Sequence, residues 1–146
     1  MERAMNQKTV KKNKKPIGKS TQSEVEALVE MLQSPDKRLR SFAWKNAGSI
    51  GPAAIKKIAS LVEHENIEVR LAAKRAFREI ANWVARPGGP SHARKQAIMQ
   101  FIEVLDRSYP IDARKEALWC LGEIAGSEAV KPIAALLYER EVRDCL

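Results

Sequence analysis

A pattern of apolar residues that returns about every 30 residues constrains the fold of this chain more than any other feature. Each copy places apolar side chains at i, i+3, i+4 and i+7, which is the spacing of one buried stripe on a helix. The four stripes are Val25/Leu28/Val29/Leu32, Ile55/Ile58/Ala59/Val62, Ile98/Phe101/Ile102/Leu105 and Val130/Ile133/Ala134/Leu137. A helical unit repeated at roughly 20 to 50 residues is typical of an α-solenoid.

An arginine follows each stripe, and the first three arginines mark the start of a second helix. The four arginines are Arg40, Arg70, Arg114 and Arg143. The residues three, six, seven and ten positions after each arginine are predicted to face the core, because alanine and isoleucine recur there at helical spacing. The sequence therefore predicts an all-α fold, an α-solenoid of antiparallel helix pairs with three full repeats and a truncated fourth.

Turn and cap residues divide the chain into helices. The residues predicted to begin a helix or to cap its start are Thr21, Asp36, Pro52, Asn66 and Ser91. Thr21 and Ser23 are each followed three residues later by a glutamate, so either one fits a capping box. The third helix is predicted to reach about Glu63. The folded domain is thus expected over residues 21–146.

The net charge of +8 is distributed unevenly along the chain. Residues 1–20 carry seven basic side chains, one acidic side chain and almost no apolar content, so we predict a disordered basic tail. Residues 37–95 carry 13 basic and 4 acidic side chains. The segments 21–36 and 96–146 are mildly acidic, which leaves a basic middle that could face an acidic protein or a nucleic acid.

Four segments carry a resemblance to a known family. They are Pro35-Asp36-Lys37-Arg38-Leu39-Arg40, Asn66-Ile67-Glu68-Val69-Arg70, Ile111-Asp112-Ala113-Arg114 and Glu141-Val142-Arg143. With residues 117–124, they make the chain resemble the HEAT-repeat family, specifically its short-repeat, phycobilisome-lyase-like branch, over about residues 23–146. Members include scaffolds, transport adaptors, chromophore lyases, hydroxylases and nucleic-acid enzymes, so the resemblance implies an architecture rather than an activity.

The resemblance also implies a ladder of ion pairs between neighbouring repeats. In that ladder Asp36 and Asp112 would pair with Arg40, Arg70 and Arg114. These arginines are therefore interpreted as structural residues. Asn66 replaces the aspartate in the second repeat, which weakens the ladder there.

No set of residues indicates catalysis, a cofactor or a metal. His64-Glu65 is a single pair, whereas the iron hydroxylases that the fold resembles need four such pairs, so His64 is interpreted as a turn residue. The chain has no nucleophile elbow, no glycine-rich phosphate loop and no histidine near Cys120 or Cys145. Both cysteines are expected to be reduced thiols, with Cys120 on a core face. We predict that the protein is not an enzyme.

The most informative surface is the position five residues after each repeat arginine, which should point away from the core. It holds Lys45, Arg75 and Trp119 in register, with Lys74 and Arg78 beside them. The resemblance implies that second helices line the inner face of the solenoid. Tryptophan and arginine are enriched in interaction hot spots. We therefore predict a noncatalytic scaffold or adaptor that binds an acidic protein segment or helix. The alternative is a nucleic-acid-binding protein that uses the tail and residues 37–95.

The sequence also gives expectations about membranes and about the C-terminal end. It has neither an apolar run of the roughly 20 residues that a membrane span requires nor a signal peptide, so a cytoplasmic or nuclear protein without a membrane partner is expected. Only three residues follow Arg143. Part of the last apolar face should therefore stay exposed and promote self-association or cover by a partner. Its residues are Val130, Ile133, Leu136, Leu137, Val142 and Leu146.

Overall fold

The computed structural model describes residues 21–140, except the side chain of Leu137, and this part of the chain is helical without a strand. The α-helices are α1 (Gln22–Leu32), α2 (Lys37–Ile50), α3 (Ile55–Ala59), α4 (Ile67–Ala85), α5 (Ser91–Val104), α6 (Ile111–Ile124) and α7 (Val130–Ala135). Short 3-10 helices cover Pro52–Ala54, Ser127–Ala129 and Leu136–Tyr138. Three predictions concern residues outside this part of the chain: the tail at 1–20, the eighth helix from Glu141 and the reduced thiol of Cys145.

Side-chain caps begin three of the helices where the sequence predicts them. The hydroxyl of Thr21 accepts a hydrogen bond from the Glu24 N–H, and the Glu24 carboxylate accepts one from the Thr21 N–H. The side chains of Asp36 and Asn66 accept from the N–H groups two residues later. Each cap satisfies a backbone donor that the first helical turn leaves unpaired.

Two of the predicted helix limits are wrong. α3 follows a 3-10 turn that starts at Pro52, and it ends at Ala59 rather than Glu63. The N–H groups of Leu61 and Val62 donate to carbonyls three residues back, and these tighter turns keep both side chains buried. Ser91 is the first residue of α5 and makes no cap, because the chain enters the helix from Pro90.

The helices pack in two rows that enclose the core. In one row α2 packs against α4, and α4 packs against α6. In the other row α1 contacts α3, and α3 contacts α5. Contacts of α1 with α2, α3 with α4 and α5 with α6 join the rows. Phe77 of α4 and Phe101 of α5 are fully buried and meet edge to face, with ring centroids 5.5 Å apart.

The predicted core positions of the second helices are confirmed in α4 and α6. All residues three, six, seven and ten positions after Arg70 and Arg114 are buried. In α2 the pattern holds less well, because Asn46 is exposed and Ile50 is half-buried. α2 is the first described helix of its row, so no earlier second helix covers the side on which Asn46 lies.

Two repeat arginines are buried and hold the chain segment before their own helix. Arg40 donates to the carbonyls of Ser34 and Pro35 at 2.8 and 2.9 Å. Arg114 donates to the Leu105 carbonyl at 2.8 Å. Ser34 and Pro35 lie in the loop between α1 and α2, and Leu105 follows the last residue of α5, so the guanidinium groups supply partners to carbonyls that have none within a helix. The structural interpretation of these two arginines is therefore supported by their burial and contacts.

The prediction that Asp36 and Asp112 form ion pairs with these arginines is wrong. Asp36 caps α2 instead of pairing with an arginine, and Asp112 lies in the first turn of α6, where the helix dipole favours negative charge. Arg40 instead lies 3.8 Å from the carboxylate of Glu68 on α4, and Arg114 pairs with Glu139.

The apolar C-terminal end is exposed only in part. Val130 is 62% exposed, as expected, and Ile133 is half-buried. Leu136 is buried, so the expectation of exposure is wrong at this residue. The side chain of Leu137 and residues 142 and 146 lie outside the described part of the chain. Among residues 21–140, no helix combines the length and apolarity required to cross a bilayer.

Candidate interaction surface

The five residues that the sequence selects lie on one surface, which we call the basic stripe: Lys45, Lys74, Arg75, Arg78 and Trp119. Lys45 lies on α2, Arg75 and Arg78 lie on α4, and Trp119 lies on α6, so the surface crosses three helices that pack side by side. These four side chains are exposed, whereas Lys74 is half-buried. The prediction that the fifth position after each arginine faces away from the core is confirmed.

Two cations of the basic stripe converge on Trp44. The Nζ atom of Lys45 lies 5.6 Å from the centroid of the indole ring, and the Cζ atom of Arg75 lies 5.4 Å from it. The two charges are therefore at most about 11 Å apart. Trp44 itself is half-buried and packs against the core. A ring fixed by the core thus holds one cation from α2 and one from α4.

Lys45 and Arg75 around Trp44 form a first cluster, and the described residues do not neutralise its charges. Within residues 21–140, no carboxylate forms an ion pair with Lys45, Lys74 or Arg75. A cation over an indole gains about 0.5–1 kcal/mol at an exposed site, and it keeps its full charge. Two like charges beside one ring therefore form a favourable place for an anionic group.

Arg78 and Trp119 form a second cluster, which is closer to neutral. The Cζ atom of Arg78 lies 4.5 Å from the centroid of the Trp119 ring. The same guanidinium donates through Nε and Nη2 to the Glu116 carboxylate, at 3.4 and 3.5 Å. Arg78 is exposed and Glu116 is half-buried, and an ion pair at a protein surface contributes only about 0–1 kcal/mol. Its consequence is positional, because the arginine is held over an indole that is 45% exposed.

Helix α4 connects the two clusters. Arg75 and Arg78 are three residues apart, and residues at this spacing are neighbours on a helix surface. Arg75 reaches towards α2, and Arg78 reaches towards α6. The structure therefore joins four of the five selected residues into two adjacent clusters and leaves Lys74 beside them.

Sequence reasoning missed three contributors to this surface. Leu71 is 41% exposed and lies one helical turn before Arg75. Glu116 neutralises Arg78, and Trp44 presents a ring face to two cations. The spacing of Leu71 to Arg75 was visible in the sequence. The other two depend on contacts between different helices, which periodicity does not reveal.

A third cation–indole contact lies at the C-terminal end of α4. The Cζ atom of Arg86 lies 4.0 Å from the centroid of Trp83. Trp83 is half-buried and packs against the core. Arg86 is exposed at the beginning of the loop in which Gly88 adopts a positive φ of 75°. This contact extends the basic surface away from the two clusters.

His64 and Cys120, which were considered for catalysis, lie on different elements of the described chain. His64 lies in a turn, where its Nδ1 atom accepts a hydrogen bond from the Asn66 N–H at 3.0 Å. Among the described residues, no group of three His, Cys, Asp or Glu side chains could hold a metal ion. Cys120 is buried in α6, and burial raises the pKa of its thiol far above the ordinary range.

No protein-family model and no curated protein matches the chain. The chain is similar to the crystal structure of an engineered protein, with 26% sequence identity and a TM-score of 0.39. The match covers 84% of this chain and 59% of that protein, so the chain spans less than two thirds of its length.

Proposed function

We propose that this chain is a noncatalytic interaction module whose basic stripe binds an acidic segment or helix of a protein partner. In this proposal the helices form a HEAT-like α-solenoid of three full antiparallel pairs and the start of a fourth. The two helix rows and their order of contact support that arrangement. The observation that carries the binding proposal is the convergence of Lys45 and Arg75 on Trp44 without a described carboxylate partner.

The surroundings of the cations favour a protein partner over a nucleic acid. Leu71 and Trp119 place exposed apolar area beside the charges, at 41% and 45% exposure. A phosphate backbone has no apolar groups to cover this area. A helix with acidic and apolar residues one turn apart would contact both the cations and the apolar area. Glu116 also removes part of the positive charge that a phosphate backbone would need. The composition of this surface is thus closer to that of a protein-interaction hot spot than to that of a uniformly basic surface that binds phosphates.

Binding of a defined peptide tests this proposal. The probe is a labelled helical peptide in which glutamate and leucine alternate at one-turn spacing, measured by fluorescence anisotropy against the full chain. Combined Lys45→Glu and Arg75→Glu substitutions should weaken binding by at least about tenfold, because two charge contacts become repulsive. A matched control, Lys57→Glu with Lys95→Glu, makes the same change in net charge on exposed residues of α3 and α5.

The control decides between a site and a general charge effect. Equal weakening by both double variants would mean that the peptide responds only to net charge. Absence of binding by any acidic helical peptide would contradict the proposed partner class. Circular dichroism of each variant checks that helicity is unchanged.

Nucleic-acid binding is the second candidate, and the excess of 13 basic over 4 acidic side chains in residues 37–95 favours it. Generic duplex DNA titrated across a salt series provides the test. Affinity that falls steeply with salt would support phosphate neutralisation by the stripe and the tail. No binding at about 50 mM salt would remove this candidate.

A cytoplasmic or nuclear location and independence from metals and cofactors belong to the same proposal. The free, buried thiol of Cys120 is in keeping with a reducing compartment. Labelling of the tagged protein in cells, together with elemental analysis of the purified chain, would test both points.

A further inference from the structure

The outward side of α4 and α6 changes charge along each helix. Six residues at one-turn spacing show the change: Leu71, Arg75 and Glu79 on α4, and Lys115, Trp119 and Glu123 on α6. All six are exposed except Glu79, which is half-buried. Each helix therefore places a basic residue before a carboxylate, and we call Glu79 and Glu123 the acidic edge.

Helices α4 and α6 run in the same direction, which places the acidic edge on one side of the basic stripe. Phe77 and Phe101 stand at similar distances before and after the loop between α4 and α5 and contact each other, so α5 runs back along α4. Arg94, near the start of α5, donates to the carbonyl of Ile124, the last residue of α6, so α6 runs back along α5. Each carboxylate of the acidic edge belongs to a residue that lies about 6 Å further along its helix than the stripe residue four positions earlier.

The charge order on these helices does not stabilise the helices themselves. No ion pair between described residues involves Lys115, Glu79 or Glu123. A cation four residues before a carboxylate is the less favourable order on a helix. Glu123 also lies in the last turn of α6, where the helix dipole disfavours negative charge. The acidic edge thus keeps its charge for contacts outside its own helices.

We propose that the acidic edge binds basic residues of the partner helix and thereby fixes the direction in which that helix crosses the surface. This inference rests on the proposed function, in which the basic stripe binds acidic residues of the same partner. A helix with its side chains is about 10–12 Å wide, so one helix laid across α2, α4 and α6 reaches both rows of charge. The partner carries acidic residues along one edge, basic residues along the other, and apolar residues between them that contact Trp119.

The two rows of charge together decide the direction of the partner. Turning the bound helix end for end exchanges its edges, so its acidic residues would face Glu79 and Glu123 and its basic residues would face Lys45 and Arg75. Both contacts are repulsive, and repulsion in the wrong arrangement gives specificity. Neighbouring helices pack about 8–10 Å apart, so a helix that crosses from α2 to α6 spans about 16–20 Å, which is about 11–13 residues.

Two labelled helical peptides of about 14 residues test the inference with the full chain. The acidic peptide carries glutamates on both edges of a leucine stripe, and the mixed peptide carries glutamates on one edge and lysines on the other. If the basic stripe acted alone, the acidic peptide would bind more tightly, because it has more carboxylates. We expect the mixed peptide to bind at least about threefold more tightly in fluorescence anisotropy, because exposed ion pairs replace repulsive contacts at the acidic edge.

Removal of the acidic edge should abolish this preference. Glu79→Gln with Glu123→Gln keeps the size of both side chains, and it should weaken binding of the mixed peptide by at least about threefold and strengthen binding of the acidic peptide. The matched control, Glu26→Gln with Glu65→Gln, makes the same change in net charge at exposed residues on α1 and in a turn, and it should leave the preference unchanged. If circular dichroism shows that the change at half-buried Glu79 disturbs the fold, Glu123→Gln alone gives the decision.

The direction of the bound helix is measured by paramagnetic broadening of amide signals. A spin label at the amino end of the mixed peptide should broaden the signal of either Ser49 on α2 or Gly122 on α6, but not both. Exchanging every glutamate and lysine of the peptide should move the broadening to the other helix, because the exchanged peptide must turn round to keep its charges paired.

The possible failures of the two proposals are distinguishable. Tighter binding of the acidic peptide, equal effects of the control and the acidic-edge variant, or one direction for both mixed peptides would overturn the inference and leave the basic stripe intact. Absence of binding by both the acidic and the mixed peptide would contradict the inference together with the proposed function.

Discussion

Replacing Gly48 with alanine measures how closely α2 and α4 pack. The added Cβ atom would lie 2.8 Å from the Trp83 Cβ, 3.0 Å from the Trp83 Cγ and 3.1 Å from the Glu79 carbonyl oxygen. Carbon atoms in favourable contact are about 3.5–4.0 Å apart. Neither the root of the tryptophan side chain nor the backbone oxygen can move without shifting α4.

The expected size of the effect is a difference of two opposing contributions. In a helix interior, alanine is more favourable than glycine by about 0.8–1.0 kcal/mol. Overpacking of a tight contact costs about 1–3 kcal/mol. We therefore expect Gly48→Ala to lower the free energy of unfolding by up to about 2 kcal/mol, although the alanine itself favours the helix.

Gly122→Ala is the matched control, because it changes the same position in a helix of equal length with open space around it. It should raise the free energy of unfolding by up to about 1 kcal/mol. The two variants should then differ by about 1–3 kcal/mol, or roughly 4–12 °C in Tm for a domain of this size.

Urea unfolding followed by circular dichroism, at a concentration where the chain is monomeric, gives both free energies. If Gly48→Ala were as stable as Gly122→Ala, the close approach of α2 to Trp83 would be refuted. An unchanged m value in both variants would show that each change acts on the folded state.

Three further predictions concern ionisation, the thiol and the tail. The hydrogen bond from Arg114 lowers the pKa of Glu139 below its ordinary value of 4.5. The stability that this pair gives the fold is therefore fully present above pH 4.5 and is lost as the pH falls through the lowered pKa of the folded state. Glu139→Gln should therefore flatten the loss of Tm between about pH 6 and about pH 3, and an unchanged slope would contradict the pair. In a Cys145→Ser background, Cys120 should react with a thiol reagent only when the fold opens, because its side chain is fully buried and burial also raises its pKa. Rapid labelling of the folded protein would disprove this. Deletion of residues 1–20 should change Tm by less than about 5 °C, which scanning calorimetry would measure, whereas a larger drop would show that the tail packs on the domain.

The starts of several helices could be predicted because their causes are local. A cap such as Thr21 or Asp36 acts on backbone groups within three residues, so a short segment contains both partners. Apolar periodicity likewise identified the buried faces of α4 and α6. It could not predict that Asn46 is exposed, because the burial of that position depends on whether an earlier helix covers it.

The sequence by itself determined the all-helical class, several helix starts and the exposed positions of the basic stripe, since each depends on neighbours within a few turns of one helix. Only the tertiary structure decided that Arg40 and Arg114 pair with Glu68 and Glu139, and that Arg75 crosses from α4 to the ring on α2. These contacts join residues that are far apart in the chain. Their geometry depends on how neighbouring helices are shifted along one another, and helical periodicity within a single segment contains no information about that shift.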